Sequence, residues 1–155
     1  MPIVPLDRLR AAVPVGARLL GMDLGEKTIG LALSDVLHSI ATPMETIRRG
    51  KFAADAETLK GLVAEHEIVA LVLGLPFNMD GSEGPRCQSV RQFADNLLEK
   101  MDIPIAFWDE RLSTLAVTRT LLEADMSRKR RAEVVDKMAA SYILQGALDR
   151  MKAAK

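Results

Sequence analysis

The chain has 155 residues, 48% of them hydrophobic and 27% charged, a composition that supports one ordinary hydrophobic core and excludes a wholly disordered chain. Its 21 basic residues balance its 21 acidic ones, which excludes a histone-like polyanion binder but leaves room for a local basic face. One cysteine and two histidines exclude an intrachain disulfide and argue against a zinc centre built on cysteine or histidine, so a metal here would be a hard cation such as Mg²⁺ or Mn²⁺ held by carboxylates.

Residues 1–16 carry Pro2, Pro5 and Pro14, with Asp7, Arg8 and Arg10 where a signal peptide needs an unbroken apolar run. The expectation is a loosely ordered lead-in, followed by a single domain over 17–155, in the cytoplasm. No apolar run reaches the ~18 residues a membrane helix needs. Residues 18–24 and 29–34 read as two strands around the turn GEKT, with Gly25 where positive φ is cheap. Residues 40–48 read as a third strand, with Pro43 marking an edge or a bulge. Leu59, Leu62 and Val63 are at helical spacing within 53–66, and the apolar run 68–73 fits a buried parallel strand. A glycine-rich loop, GLPFNMDGSEG, follows. Helical spacing returns over 85–101, then a short strand over 104–108 runs into DERLST. Ser113 or Thr114 can cap a helix reaching Glu123. The basic connection MSRKRR leads to a last helix over 132–151.

This order predicts an α/β fold. Three strands joined by short turns pair antiparallel, and the later β-α-β-α units add parallel strands through right-handed crossovers. The sheet would have five strands, mixed in direction, with helices on both faces.

In such sheets sites form beyond the carboxyl ends of the parallel strands. Three features converge there: Asp23 in the first strand, the Gly74-Leu75-Pro76 loop, and Asp109-Glu110-Arg111. Asp136, early in the last helix, precedes a small apolar face of Ala139, Ala140 and Ile143. Clustered carboxylates repel one another, and a divalent cation resolves that repulsion. In two-metal hydrolysis the ions activate water and stabilise the leaving oxygen.

Each acid also has a simpler reading. Asp23 could bond a turn amide, Glu110 could be a surface charge, Asp109 could cap a helix, Asp35 reads as a turn residue, and Asp136 suits a helix N-terminus. The loop 74–84 either cradles phosphate through its amides or is a plain surface loop; it lacks the GK[ST] ending of a P-loop. Arg128, Lys129, Arg130 and Arg131 form the densest basic run, either a solvated face or phosphate contacts, with Arg48, Arg49, Lys51 and Arg111 as further contributors. Phe77 and Trp108 are near these loops in sequence, Trp108 better suited to the core. Aromatics are too few to suggest base stacking as the main mode of binding.

Four motifs then coincide in order: G-x-D-x-G-x-x-x-x-G-x-A-x-S-D over 21–35, G-L-P-x-x-x-x-G-x-x-G over 74–84, D-E-R-x-S-T over 109–114, and D-x-x-A-A-x-x-I-L over 136–144. Together they closely resemble the YqgF family, also called RuvX, of RNase H-like proteins, over roughly residues 18–149. The resemblance implies an RNase H-like fold and kinship with the RuvC Holliday-junction resolvases. It implies a metal-dependent nuclease that matures the 5′ end of the 16S ribosomal RNA precursor. On the matching motifs, Asp23, Glu110 and Asp136 would be the catalytic acids, holding one or two Mg²⁺ or Mn²⁺ ions. Gly25, Lys27, Gly74, Pro76, Arg111 and the run 128–131 would contact nucleic acid.

The chain departs from the resolvases at two places. Gly74-Leu75-Pro76 stands where they carry their second acid, and Ala139 where their last helix carries another. The expected partner is structured RNA, with branched DNA as a further candidate; no membrane is involved, and the protein would be a monomer or homodimer. The rival reading is a nucleic-acid-binding module that does not cut. Sugar kinases and actin-like ATPases also use D-x-G-x-x-x-x-G in a first hairpin, but their nucleotide sites need two such domains, and 155 residues supply one.

Overall fold

The computed structural model describes residues 3–14, 16–112 and 128–153, with the side chains of the last helix described over 138–152. Strand β1, Arg18–Leu24, lies at the centre of a five-stranded sheet. It pairs antiparallel with β2, Thr28–Ser34, which pairs antiparallel with β3, Ala41–Arg48. On its other side it pairs parallel with β4, Ile68–Leu75, which pairs parallel with β5, Ile105–Asp109. The order β3-β2-β1-β4-β5 is the mixed sheet the strand sequence predicts.

Burial explains which segments form the centre. In β1 every residue after Arg18 is buried, and in β4 only Val69 is not, as expected of strands covered on both faces. Edge strand β3 has no fully buried residue, and its pairing slips between Gly30 and Ala32, beside Pro43. Proline donates no ladder hydrogen bond, so the edge tolerates it.

Strand alternation divides the core in two. Leu20, Met22, Leu24, Leu71 and Leu73 pack against helices α2, Phe52–Glu65, and α3, Pro85–Lys100. Leu19, Ala32, Ala70, Val72, Ala106 and Trp108 pack on the opposite face. There they meet a short N-terminal helix, α1 (Leu6–Ala12), and the long C-terminal helix α4 (Arg128–Ala153). Small residues let α4 lie close to the sheet. A Cβ at Gly21 would fall 2.6 Å from Leu144 Cβ and 3.0 Å from the Ala140 carbonyl.

The lead-in differs from expectation. Rather than hanging loosely, it forms α1, with Leu9 completely buried and Val13 nearly so. The amide of Val4 donates to the Ile105 carbonyl at 2.8 Å, which ties the lead-in to β5. Pro5 occupies the N-cap, and Pro14 follows the C-cap residue Val13, so the two prolines bracket the helix instead of breaking it.

Two boundaries also move. β4 runs on through Gly74 and Leu75, which pair with Trp108 and Asp109. The basic run 128–131 is the first turn of α4, not a connection. The helix predicted to begin at Ser113 or Thr114 lies outside the described residues. Among the described residues, no helix is long and apolar enough to cross a membrane.

Candidate functional site

Alternation along β1 places Asp23 on the face covered by α4, two residues after Gly21. Asp23 is only 2% exposed, so a carboxylate stands at the carboxyl end of the central strand inside the protein. Its neighbours on both sides lack side chains. Gly30 is its register partner in β2, and in β4 the residue after the Met22–Leu73 pair is Gly74.

Gly74 is where the second acid arrives. A Cβ there would lie 3.1 Å from Glu110 Oε2 and 2.5 Å from Ile143 Cδ1. Glu110 opens the 3-10 turn Glu110–Leu112 directly after β5, and its carboxylate reaches back over the end of β4. Asp23 and Glu110 are therefore presented at the same end of the sheet, on the same face, with Gly74 between their strands. Any side chain at 74 would collide with the acid or with α4.

Asp136 lies on α4, one turn before Ala140 and two before Ile143, both buried against the sheet. Its own side chain, and those of Arg128, Lys129, Arg130 and Arg131, lie outside the described residues. Among the described residues, no three His, Cys, Asp or Glu side chains group closely enough to hold a metal ion. The two carboxylates do match the hard oxygen donors that Mg²⁺ and Mn²⁺ prefer.

Two other acids are placed elsewhere. Asp109 points to the opposite face from Trp108, and Arg111 claims it. The Arg111 Nη2 donates to Asp109 Oδ2 at 2.6 Å, and the Arg111 amide donates to Oδ1 at 3.0 Å. The side-chain hydrogen bond from Arg111 holds the Asp109 carboxyl below its ordinary value, and the same bond raises the guanidinium. Asp35 sits at the far end of β2, away from Asp23, and accepts the amides of Ser39 and Ile40. Those backbone bonds, Ile40 first, lower its pKa, and it is the turn residue its sequence position suggests.

Arg111 also covers Phe77, its guanidinium carbon 5.2 Å from the ring centroid. That face of Phe77 is thus occupied by a cation. The loop after β4 is closed on itself: Asn78 N–H donates to the Ser82 carbonyl, Gly81 N–H to the Asn78 carbonyl, and Ser82 N–H to Asp80. These three amides are committed inside the loop, which removes them as a phosphate cradle. Pro76 starts the loop, and Gly74 belongs to the strand before it.

Gly25 differs from expectation as well. Among the described glycines the left-handed region is taken by Gly16 and Gly81, not by Gly25. The turn closes through the Gly25 amide donating to the Thr28 carbonyl, and the Gly25 carbonyl accepts Arg49 Nη1 at 2.6 Å. Lys27 is exposed on that turn, its carbonyl accepting the Arg49 amide. Trp108 is a core residue, as its sequence setting suggests. Cys87 is buried, and burial pushes its thiol up, away from reactivity.

A family model described as "RuvX: Holliday junction resolvase" matches residues 17–150. A protein of Paramagnetospirillum magneticum, named "Putative pre-16S rRNA nuclease", is 68% identical over 149 residues, 96% of either chain. A protein of the same name from Ruegeria sp. (strain TM1040) is 63% identical over 142 residues, 92% of this chain and 90% of that one. Among solved structures, Thermus thermophilus RuvC in complex with Holliday junction substrate matches with a TM-score of 0.56 at 11% identity, over 89% of this chain and 97% of that one. That likeness concerns the fold, which is the RuvC-like, RNase H-like α/β architecture. The two departures noted in the sequence have visible places in it: the glycine at 74 underlies the Glu110 carboxylate, and Ala139 is 1% exposed against the sheet.

Proposed function

The chain belongs to the RuvX family, and we propose that it is a divalent-metal-dependent nuclease that hydrolyses phosphodiester bonds of structured RNA in the cytoplasm, its substrate being the 16S ribosomal RNA precursor. The observation that supports this reading is that Asp23 and Glu110 lie on one face at the carboxyl end of the central strands, with Gly74 between their strands and the Glu110 carboxylate over it. The names of relatives above 60% identity support RNA as the polymer. Asp23, Glu110 and Asp136 would hold one or two Mg²⁺ or Mn²⁺ ions. Such an ion lowers the pKa of a water molecule and stabilises charge on the leaving oxygen.

The chain's own residues do the positioning. Asp23 is fixed by a strand paired on both sides, so its carboxylate cannot swing with a loop. Glu110 follows β5 without an intervening linker, which limits its freedom in the same way. Gly30 and Gly74 add no side chain of their own between these acids, and the room over Gly74 goes to Glu110 and Ile143. Arg111, held by Asp109 on the other face of the same sheet end, presents a fixed cation there, and the run 128–131 would add phosphate contacts at the start of α4. Gly25, Lys27 and Pro76 would border the approach of the strand.

Branched DNA is the second reading, favoured by the description of the family model. Both are tested by incubating the purified protein with a labelled precursor transcript and a four-way DNA junction, in Mg²⁺, in Mn²⁺ and in EDTA. The expected result is cleavage of the transcript near the mature 5′ end, only with a divalent ion. Salt-dependent binding with no product at any metal concentration would contradict the proposal and favour a module that binds without cutting.

A further inference from the structure

Behind the acid face, at the same end of the sheet, lies a cleft of about 340 Å³. Its walls are the β1–β2 turn on one side and the start of α3 on the other, with Leu24 and Phe93 as its floor. Two arginines line it, Arg49 from the end of β3 and Arg86 from the first turn of α3, together with the Ser89 hydroxyl and one acid, Glu26.

Arg49 is anchored there. Its amide donates to the Lys27 carbonyl at 2.8 Å, its Nη1 donates to the Gly25 carbonyl, and its guanidinium carbon lies 5.5 Å from the Phe93 centroid. Among the described residues the guanidinium makes this one hydrogen bond, which leaves the other donors of the fork for a ligand. Among the described residues, Arg86 has no ion-pair partner, and it is exposed. Two guanidinium groups, one of them fixed, facing a cleft with a hydroxyl and an apolar floor make a recognition site for a phosphate group.

The position relates the cleft to the acids. Consecutive residues of β1 point to opposite faces, so Asp23 enters the α4 side while Leu24 forms part of the cleft. A single polymer strand crossing the β1–β2 turn would meet the acids on one side and the arginines on the other. We propose that this cleft holds a backbone phosphate of the nucleic-acid substrate and so fixes the strand across the turn, an inference that rests on the nuclease reading and extends it.

The test is a binding measurement without divalent ions, so that cleavage does not intervene. Fluorescence anisotropy of a labelled hairpin from the precursor transcript, and separately of a labelled DNA junction, is followed from about 50 to 200 mM KCl. Arg86→Gln should weaken binding several-fold and lower the salt slope by about one, the signature of one lost phosphate contact. Glu26→Gln should tighten binding, since it removes the one acid of the cleft. Arg49→Lys, which keeps charge but loses the fork, should weaken it less than Arg49→Gln. Arg8→Gln, on α1 across the sheet, should change nothing, and unchanged thermal melts confirm that every variant folds. A loss confined to one polymer identifies which backbone the cleft holds. If Arg86→Gln and Glu26→Gln both bind as wild type does while cleavage persists, the cleft proposal falls and the nuclease reading stands. If the wild type neither binds nor cuts either polymer, both fall.

Discussion

Asp109 and Arg111 stand two residues apart beside the candidate site, and each perturbs the other. The Asp109 carboxyl is held below its ordinary value of 3.8 mainly by the Arg111 side-chain hydrogen bond, with burial opposing. A carboxyl depressed in the folded state adds stability that is present above the unfolded value and is lost as pH falls through the folded one. Arg111→Gln should therefore move the Asp109 midpoint up toward 3.8, read by ¹³C NMR titration of the side-chain carboxyls. An unmoved midpoint would show that the pair does not form in solution. The same pair explains why Asp109, next to Glu110 in sequence, serves a different purpose. Alternation sends it to the other face, where it fixes an arginine.

Among the elements, strands and helices α2 and α3 were legible because each carries a strong period: continuous apolar runs for buried strands, three-to-four spacing for helices. The three short-linked strands followed by β-α units were enough to predict the sheet. Helix α1 was not legible, because three prolines in the first 16 residues outweigh the Leu6, Leu9, Val13 spacing in any local reading. Only the tertiary contact of Leu9 with α4 shows its worth. Leu9→Ala should destabilise the protein by about 2–5 kcal/mol, since the side chain is completely buried. A chemical denaturation midpoint unchanged in that variant would mean that α1 does not dock. The contact of α4 with the sheet makes a second prediction. At Gly21 an added methyl meets a helix carbonyl as well as a side chain, and the backbone cannot yield cheaply. Gly21→Ala should cost about 1–3 kcal/mol, a melting temperature lower by roughly 3–10 °C. A melt identical to wild type would refute the close approach of α4.

At the scale of the molecule, a chain of zero formal net charge sets two acids and two arginines on opposite faces of one sheet end. Asp23 and Glu110 lie on the α4 side, and Arg49 and Arg86, with Glu26 among them, line the cleft on the α3 side. The family resemblance carried by four motifs, more than any local spacing, pointed to Asp23, Glu110 and Asp136. What the sequence did not show was how Glu110 comes over Gly74, the strand neighbour of Asp23. That depends on β5 lying two strands away and on a glycine leaving room between, a fact of register rather than of composition. Nor did local reading find Arg86, whose neighbours suggest only an exposed first turn of a helix; its meaning comes from facing Arg49 across the chain. Whether the Asp23 carboxylate serves catalysis is decided by comparing wild type with Asp23→Asn on the precursor transcript in Mn²⁺, with RNA binding and thermal melting measured on the same samples. Cleavage should disappear in Asp23→Asn while binding and folding persist; cleavage at the wild-type rate by the pure variant would rule out a catalytic role for this carboxylate.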